Sequence, residues 1–296
     1  MPDTSNFIPQ ITADGSFTFF SDEFGETFHS RQGASEEAEL KFVLPTDLRS
    51  KALQPSLNLL DVCYGLGYNT AAALATIWAV NPSCRVELVG LELDLAVPQA
   101  AIAHHLLNNW PQPIPEILSQ LATSQKIKSD RLQATLLIGD ARNSIQQVQL
   151  SGFKADAVFL DPFSPPSCPQ LWTIEFLSLV AQCLKWDGRL ATYSCAAAVR
   201  TALIAAGLQI SSTPPVGRRS PGTVAFREFP PESLYTASVP LLSVQEQEYL
   251  QTRAAIPYRD PDLSSPAAVI LHRRQIEQQA SSLEPTSQWK KRWFAP

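Results

Sequence analysis

The segment Asp61-Val-Cys-Tyr-Gly-Leu-Gly67 sits between a continuous apolar run, Ser56–Val62, and an alanine-rich stretch over 69–80. An unbroken apolar run of that length predicts a strand covered on both faces, which is the mark of a parallel sheet. The alanine-rich stretch predicts a helix, closed by Asn81 and Pro82, and residues 85–93 (RVELVGLEL) predict a second strand. Strand, glycine turn, helix and strand make a βαβ unit, whose crossover is right-handed. Few chains with such a unit fold as anything but α/β.

The alternation continues. A helix is expected from Val97 into His105 and another up to Ser124, with strands over 134–138, 156–160, 189–194, 208–211 and 224–229. A helix over 170–184 is closed by the turn Lys185-Trp186-Asp187-Gly188, and one over 197–206 ends at Gly207 as its cap. Together these give a doubly wound, mostly parallel seven-stranded sheet of the Rossmann-like class. Residues 1–50 read as a hairpin-like N-terminal extension with a short acidic helix from Ser35. The main domain is expected over 51–229, and an appendage with a helix over 265–279 from 230 to 296.

A hydrophobic share of 45% in 296 residues is ample for a buried core. No apolar run approaches the ~18 residues of a membrane span, and the first ten residues carry neither a basic nor an apolar targeting region. A cytoplasmic protein is the expectation. The five cysteines form no Cys-x-x-Cys pair and the four histidines add no ligand spacing. No metal site is expected, and buried reduced thiols are. A net charge of −5 argues against bulk coating of nucleic acid. The charge is uneven, however: residues 1–216 hold 13 basic and 20 acidic side chains, and 217–296 hold 10 and 8. A local basic patch for phosphate remains open.

In open α/β sheets, ligands bind beyond the C-terminal strand ends. Here those ends carry Asp61, Cys63, Gly65 and Gly67 after the first strand, Glu92 after the second, Gly139 and Asp140 after the third, and Asp161 after the fourth. The glycines allow close backbone approach. Glu92 is placed to accept ribose hydroxyls, with Asp94 its competitor one alternation later, and Asp140 to recognise an adenine amino group. Thr70 occupies the place of the third glycine of the dinucleotide fingerprint, which disfavours a pyrophosphate ligand. This ordered set resembles the class I methyltransferases, and the resemblance implies S-adenosyl-L-methionine as cofactor. Cys63 departs from the glycine that many of them carry.

The most distinctive stretch is Asp161-Pro-Phe-Ser-Pro-Pro166, continued by Cys168-Pro-Gln-Leu-Trp172. Its D-x-F-x-P-x-x-x-P-x-x-W pattern is similar to the methyltransferase domain of the MnmC family. The likeness extends through Phe28-His29-Ser30, Gly33-Ala34-Ser35-Glu36-Glu37, Gly139 with Asp140, Val199-Arg200 with Gly207, and Val216-Gly217-Arg218-Arg219. It covers roughly residues 15–227. It implies methylation of the aminomethyl group of the modified wobble uridine, with the tRNA anticodon loop as partner. It also implies a stand-alone form without the FAD oxidoreductase domain, so that a separate oxidoreductase or upstream modifying enzyme supplies the amine. In this reading Asp161 orients the amine and helps remove its proton, while Phe163 and Trp172 form an apolar wall or stack on a base. Glu36 or Glu37 helps to close the site, and Arg218 and Arg219 meet phosphate.

Two rivals stand beside it. An aminopropyltransferase of the spermidine synthase type resembles the segment Gly139-Asp140-Ala141-Arg142, but its glycine- and aspartate-rich first motif is missing from 63–68. A non-catalytic nucleotide-binding protein on the same fold is the other, since fold alone does not fix function.

Overall fold

The computed structural model describes residues 7–216, 220–227 and 240–294. Two small hairpins lead the chain: β1 (Gln10–Ile11) pairs with β2 (Phe17–Thr18), and β3 (Phe20–Ser21) with β4 (Glu26–Thr27). A helix, Ala34–Glu37, then runs on as a wider π-helical segment, Ala38–Val43.

The central sheet holds β5 (Ser56–Val62), β6 (Arg85–Glu92), β7 (Lys126–Lys128), β8 (Leu132–Ile138), β9 (Ala155–Leu160), β10 (Leu184–Thr192), β11 (Gln209–Ser212) and β12 (Thr223–Phe226). Their order is β11-β12-β10-β9-β5-β6-β8-β7. The five inner strands β10, β9, β5, β6 and β8 run parallel, and the remaining three add on antiparallel. Because β5 is followed by β6 on one side and bordered by β9 on the other, the strand order reverses there and opens a crevice at the strand ends.

The doubly wound α/β architecture is as expected, with one correction: the sheet has eight strands among the described residues, not seven. The extra strand, β7, is three residues of Lys-Ile-Lys on the sheet edge, too short to show a period of two. Its lysines leave the edge charged, which discourages pairing with another chain. A second difference lies at β10. The turn expected at 185–188 is the irregular start of that strand, whose register against β9 shifts between Leu184 and Arg189. The helix before it is correspondingly shorter, Ile174–Gln182. The helix Ala141–Leu150 after β8 is a further addition.

Alternation along β5 divides the core. Leu57 and Leu59 face a cluster with Ala72, Ile77 and Phe159, which also takes in Phe19, Ala34 and Phe42 from the N-terminal region. Leu60 and Val62 face the other, with Ile145, Trp172, Phe176, Tyr258 and Ile270. Both faces of the sheet are therefore covered, by helices and by the two ends of the described chain. Polar ties fix the C-terminal residues as well: Arg142 pairs with the fully buried Asp260 at 3.0 Å, and buried Arg200 with Glu246 at 2.8 Å. Among the described residues no helix is long and apolar enough to cross a membrane.

Candidate active site

Beyond β5 the chain turns through three left-handed residues, Cys63 (φ 67°), Gly65 (φ 56°) and Gly67 (φ 90°). Cys63 thus adopts the backbone that glycine favours, and it lines the cavity beyond the strand ends. A Cβ on Gly65 would meet nothing closer than 3.7 Å, so Gly65 is open toward the cavity. One on Gly67 would lie 2.8 Å from the Tyr64 hydroxyl, so Gly67 serves loop packing instead.

The Gly65 N–H donates to Glu92 Oε2 at 2.8 Å, and the Asp94 N–H to Glu92 Oε1 at 2.9 Å. One carboxylate at the end of β6 thereby sets the glycine loop of the neighbouring strand. Burial pushes the Glu92 carboxyl up to about 7. Asp61, with no exposed surface, accepts from Thr70 Oγ1 at 2.7 Å and has an unpartnered Oδ1; burial raises it to about 8.

Asp161, at the end of β9, is half-buried and accepts from Asn69 Nδ2 at 2.9 Å. Burial, with the nearby Glu37 carboxylate adding to it, lifts Asp161 well above the carboxylate range. Glu37 itself is anchored by the Ser30 N–H at 3.0 Å and by buried Lys41 at 3.3 Å. His29 also lines the cavity, and burial holds its imidazole neutral, with a pKa of about 4.

These groups surround a cavity of about 300 Å³. Its described lining includes seven carboxylates, on Asp22, Glu23, Glu26, Glu37, Glu92, Asp94 and Asp161, and neither lysine nor arginine. Such a lining favours a cationic occupant. S-adenosylmethionine fits that lining: it carries a sulfonium and an ammonium group, and Gly65 leaves room for it.

Comparison with known proteins agrees. The family described as S-adenosyl-L-methionine-dependent methyltransferase matches residues 98–228. The crystal structure of MNMC2 from Aquifex aeolicus superposes with a TM-score of 0.80 at 35% identity, covering 95% of this chain and 87% of that one. The chain belongs to the MNMC2-like S-adenosylmethionine-dependent methyltransferases. It is also 31% identical over 271 residues to the uncharacterized protein MJ0670 of Methanocaldococcus jannaschii, covering 89% of this chain and 70% of that protein. The bifunctional tRNA 5-methylaminomethyl-2-thiouridine biosynthesis protein MnmC of Ralstonia nicotianae is 31% identical over 235 residues, 73% of this chain. This chain spans about a third of the length of that bifunctional relative. Family membership favours methyl transfer over aminopropyl transfer.

The methyltransferase brings together most of the residues expected at its strand ends. Cys63, Gly65, Glu92, Asp161, Phe163 and Glu37 all line the cavity, as does Asp94. Between the two glutamates proposed to close the site, Glu37 faces inward and Glu36 is exposed. Asp61 and Gly67 lie beneath the loop.

One expectation needs correction. Trp172 is fully buried and forms no wall; its Nε1 donates to the Phe163 carbonyl at 2.8 Å, so it supports the loop from below. Gly139 and Asp140 follow β8 as expected, with the Asp140 side chain capping the helix Ala141–Leu150 and forked by Arg142, Nη2 to Oδ2 at 2.6 Å. Arg218 and Arg219 lie outside the described residues.

Among the cavity residues that the sequence did not disclose, three hold the loop after β9. Phe24 stacks on Phe163 with centroids 4.3 Å apart, Tyr193 donates to the Pro162 carbonyl at 2.9 Å, and Glu26 binds the loop at Ser164. Only the aromatic run before residue 30 hinted at any of them.

Proposed function

We propose that this methyltransferase transfers a methyl group to the aminomethyl nitrogen on the modified wobble uridine of tRNA. The observation that carries the reading is a cavity walled by carboxylates in which Asp161 and aromatic Phe163 stand two residues apart. An alkylammonium substituent on a flat base needs that pair: an acceptor for its N–H protons and a ring face for its base. The names of the bifunctional MnmC relatives specify the same nucleoside.

S-adenosylmethionine, when bound, supplies a methyl group on an electron-poor sulfonium sulfur. The 63–67 loop, Glu92 and Asp94 would hold it. A primary alkylammonium keeps its proton at neutral pH, its pKa being roughly 10, like that of lysine. Asp161 takes that proton at a carboxylate oxygen and aims the freed lone pair. The Asn69 side-chain amide, 2.9 Å from Oδ2, orients that carboxylate for the task. Glu37, pinned by Lys41, keeps a negative field on the amine, while Phe163 fixes the plane of the base. Holding nitrogen and methyl in line is the main source of rate in such a displacement. Arg218 and Arg219 are proposed to hold phosphates of the anticodon loop, and an oxidoreductase or other upstream modifying enzyme provides the amine.

The test is to incubate the pure protein with methyl-labelled S-adenosylmethionine and tRNA lacking the final methyl, then digest and identify the nucleosides. Label in 5-methylaminomethyl-2-thiouridine is the expected result. Label in any other nucleoside, or none in tRNA, rejects the assignment.

A further inference from the structure

The hairpin formed by β3 and β4 has two residues per strand, with Phe20 opposite Thr27 and Ser21 opposite Glu26. A hairpin so short does not hold its place by its own ladder. What places it is Glu26. Its Oε2 accepts the Ser164 N–H at 3.0 Å, and its Oε1 accepts the Ser167 hydroxyl at 2.8 Å and the Ser164 hydroxyl. The same attachment lays Phe24 flat on Phe163, at 4.3 Å and 15° between planes, while Phe28 meets Phe163 edge-on at 5.0 Å.

The loop that Glu26 grips continues directly from Asp161. Its carbonyl groups are tied down from inside the fold, Pro162 by Tyr193 and Phe163 by Trp172. Its donors at Ser164 and Ser167 turn the other way, toward Glu26. The loop is thus held at its carbonyls by Tyr193 and Trp172 and at its donors by one carboxylate 138 residues away in sequence.

We propose that Glu26 is a positioning residue for methyl transfer: it latches the N-terminal hairpin onto the 161–167 loop and so sets Asp161 and Phe163 for the acceptor. The inference rests on the reading that those two residues face the acceptor. A carboxylate satisfies the one fixed N–H and the two rotatable hydroxyls. An amide also can, with its oxygen on the Ser164 N–H and its NH₂ toward hydroxyls that turn to accept. Alanine satisfies none. Glu26→Gln and Glu26→Ala therefore separate the latch from the charge.

The experiment measures turnover and cofactor affinity for both variants and for Ser164→Ala/Ser167→Ala, with hydrogen exchange of the peptide spanning residues 20–28 in each protein. Glu26→Ala is expected to lower kcat by about 10²-fold, the scale of a misplaced reacting group, with cofactor affinity unchanged. Glu26→Gln recovers most of that loss. Adding Glu26→Ala to the serine pair costs little more, because both break the same latch. Exchange of the hairpin speeds up in Glu26→Ala and stays slow in Glu26→Gln. A Glu26→Gln protein as impaired as Glu26→Ala overturns the proposal, since charge then matters and the latch does not. So does unchanged hairpin exchange in Glu26→Ala. Exchange needs no acceptor, so an inactive wild-type protein would count against the tRNA assignment while the latch was still decided.

Discussion

Strands β6 and β8 are neighbours in the sheet, and a carboxylate follows the end of each: Glu92 and Asp140. Their fates are opposite. Glu92 lines the cavity, where it accepts the backbone N–H groups of Gly65 and Asp94 from the loops after β5 and β6. Asp140 turns outward into the fork of Arg142, whose Nη1 also grips Asp260. Burial drives Glu92 up to about 7. Partial burial pulls Asp140 upward too, yet the Arg142 hydrogen bonds outweigh it and hold that carboxyl below its ordinary range. A strand end therefore selects the address of a functional carboxylate, and the nearest cation decides whether it is available to a ligand.

Asp161 belongs with Glu92 in this contrast: it lines the cavity, has no cation in direct contact with it among the described residues, and is raised by burial. Asp161→Asn is nearly isosteric but cannot take a proton. It should lower single-turnover methyl transfer by about 10²-fold while cofactor affinity stays within twofold. An unchanged rate at neutral pH would move the proton-accepting role elsewhere in the cavity, with Glu37 the first candidate.

Glu92→Gln tests the inward member of the pair. An amide offers one acceptor where the loops present two N–H groups, and it lacks the charge that a cationic cofactor meets. Cofactor affinity should fall by about tenfold or more, the worth of a hydrogen bond to a charged group. Titration calorimetry decides it, and undiminished affinity would show that Glu92 shapes the loop without meeting the cofactor.

That contrast was only half legible beforehand. The fold was readable because β5, β6 and β9 are apolar on both faces and separated by helical runs, a pattern set by local sequence. So were Cys63, Gly65, Glu92 and Asp161, since strand ends follow once the strands are known. What could not be read depends on groups distant in sequence. The partner of Arg142 at Asp260 lies 118 residues on, and Glu26 meets Ser164 across 138. No spacing rule reaches that far, so Asp140 looked as available as Glu92, and the hairpin looked like a mere lead-in. Trp172 misled for a related reason: an aromatic residue beside a catalytic loop reads the same from sequence whether it faces the ligand or underlies the loop.

The pH dependence sharpens the comparison. Glu92 rises from an ordinary 4.5 to about 7 in the folded protein, so between those values the native state holds a proton that the unfolded chain has lost. Its contribution to stability is full below about 4.5 and disappears as pH climbs through 7, an effect of up to roughly 3 kcal/mol. Asp61 and Asp161 act in the same direction, and buried His29, lowered from 6.5 to about 4, offsets part of the effect below about 6.5. Cofactor-free protein should therefore lose stability from pH 5 to 8 in denaturant titrations, and Glu92→Gln should flatten part of that slope. Cofactor affinity should move oppositely, rising as Glu92 ionises. A Glu92→Gln protein with the wild-type slope would assign the titration to Asp61 and Asp161.

The smallest effect is expected from the outward carboxylate, and it bears most directly on the contrast. Asp140→Asn keeps the shape and an oxygen for the helix cap, and Arg142 keeps its buried partner Asp260 at 3.0 Å. Because the Asp140 carboxylate is about a third exposed, solvent already screens its pairing, and its loss should cost about 1 kcal/mol or less of stability. Cofactor affinity should change by less than threefold if Asp140 stays in the fork of Arg142. The alternative is specific: cofactor binding could draw Asp140 inward to the adenine amino group, as the resemblance to class I methyltransferases implied, with Arg142 falling back on Asp260 alone. In that case Asp140→Asn would weaken the cofactor about tenfold, with the same small loss of stability in the cofactor-free protein. Affinity therefore separates the cases, and stability checks that the fold is intact. A tenfold loss of affinity would show that Glu92 and Asp140 differ in the empty protein and become alike when the cofactor arrives.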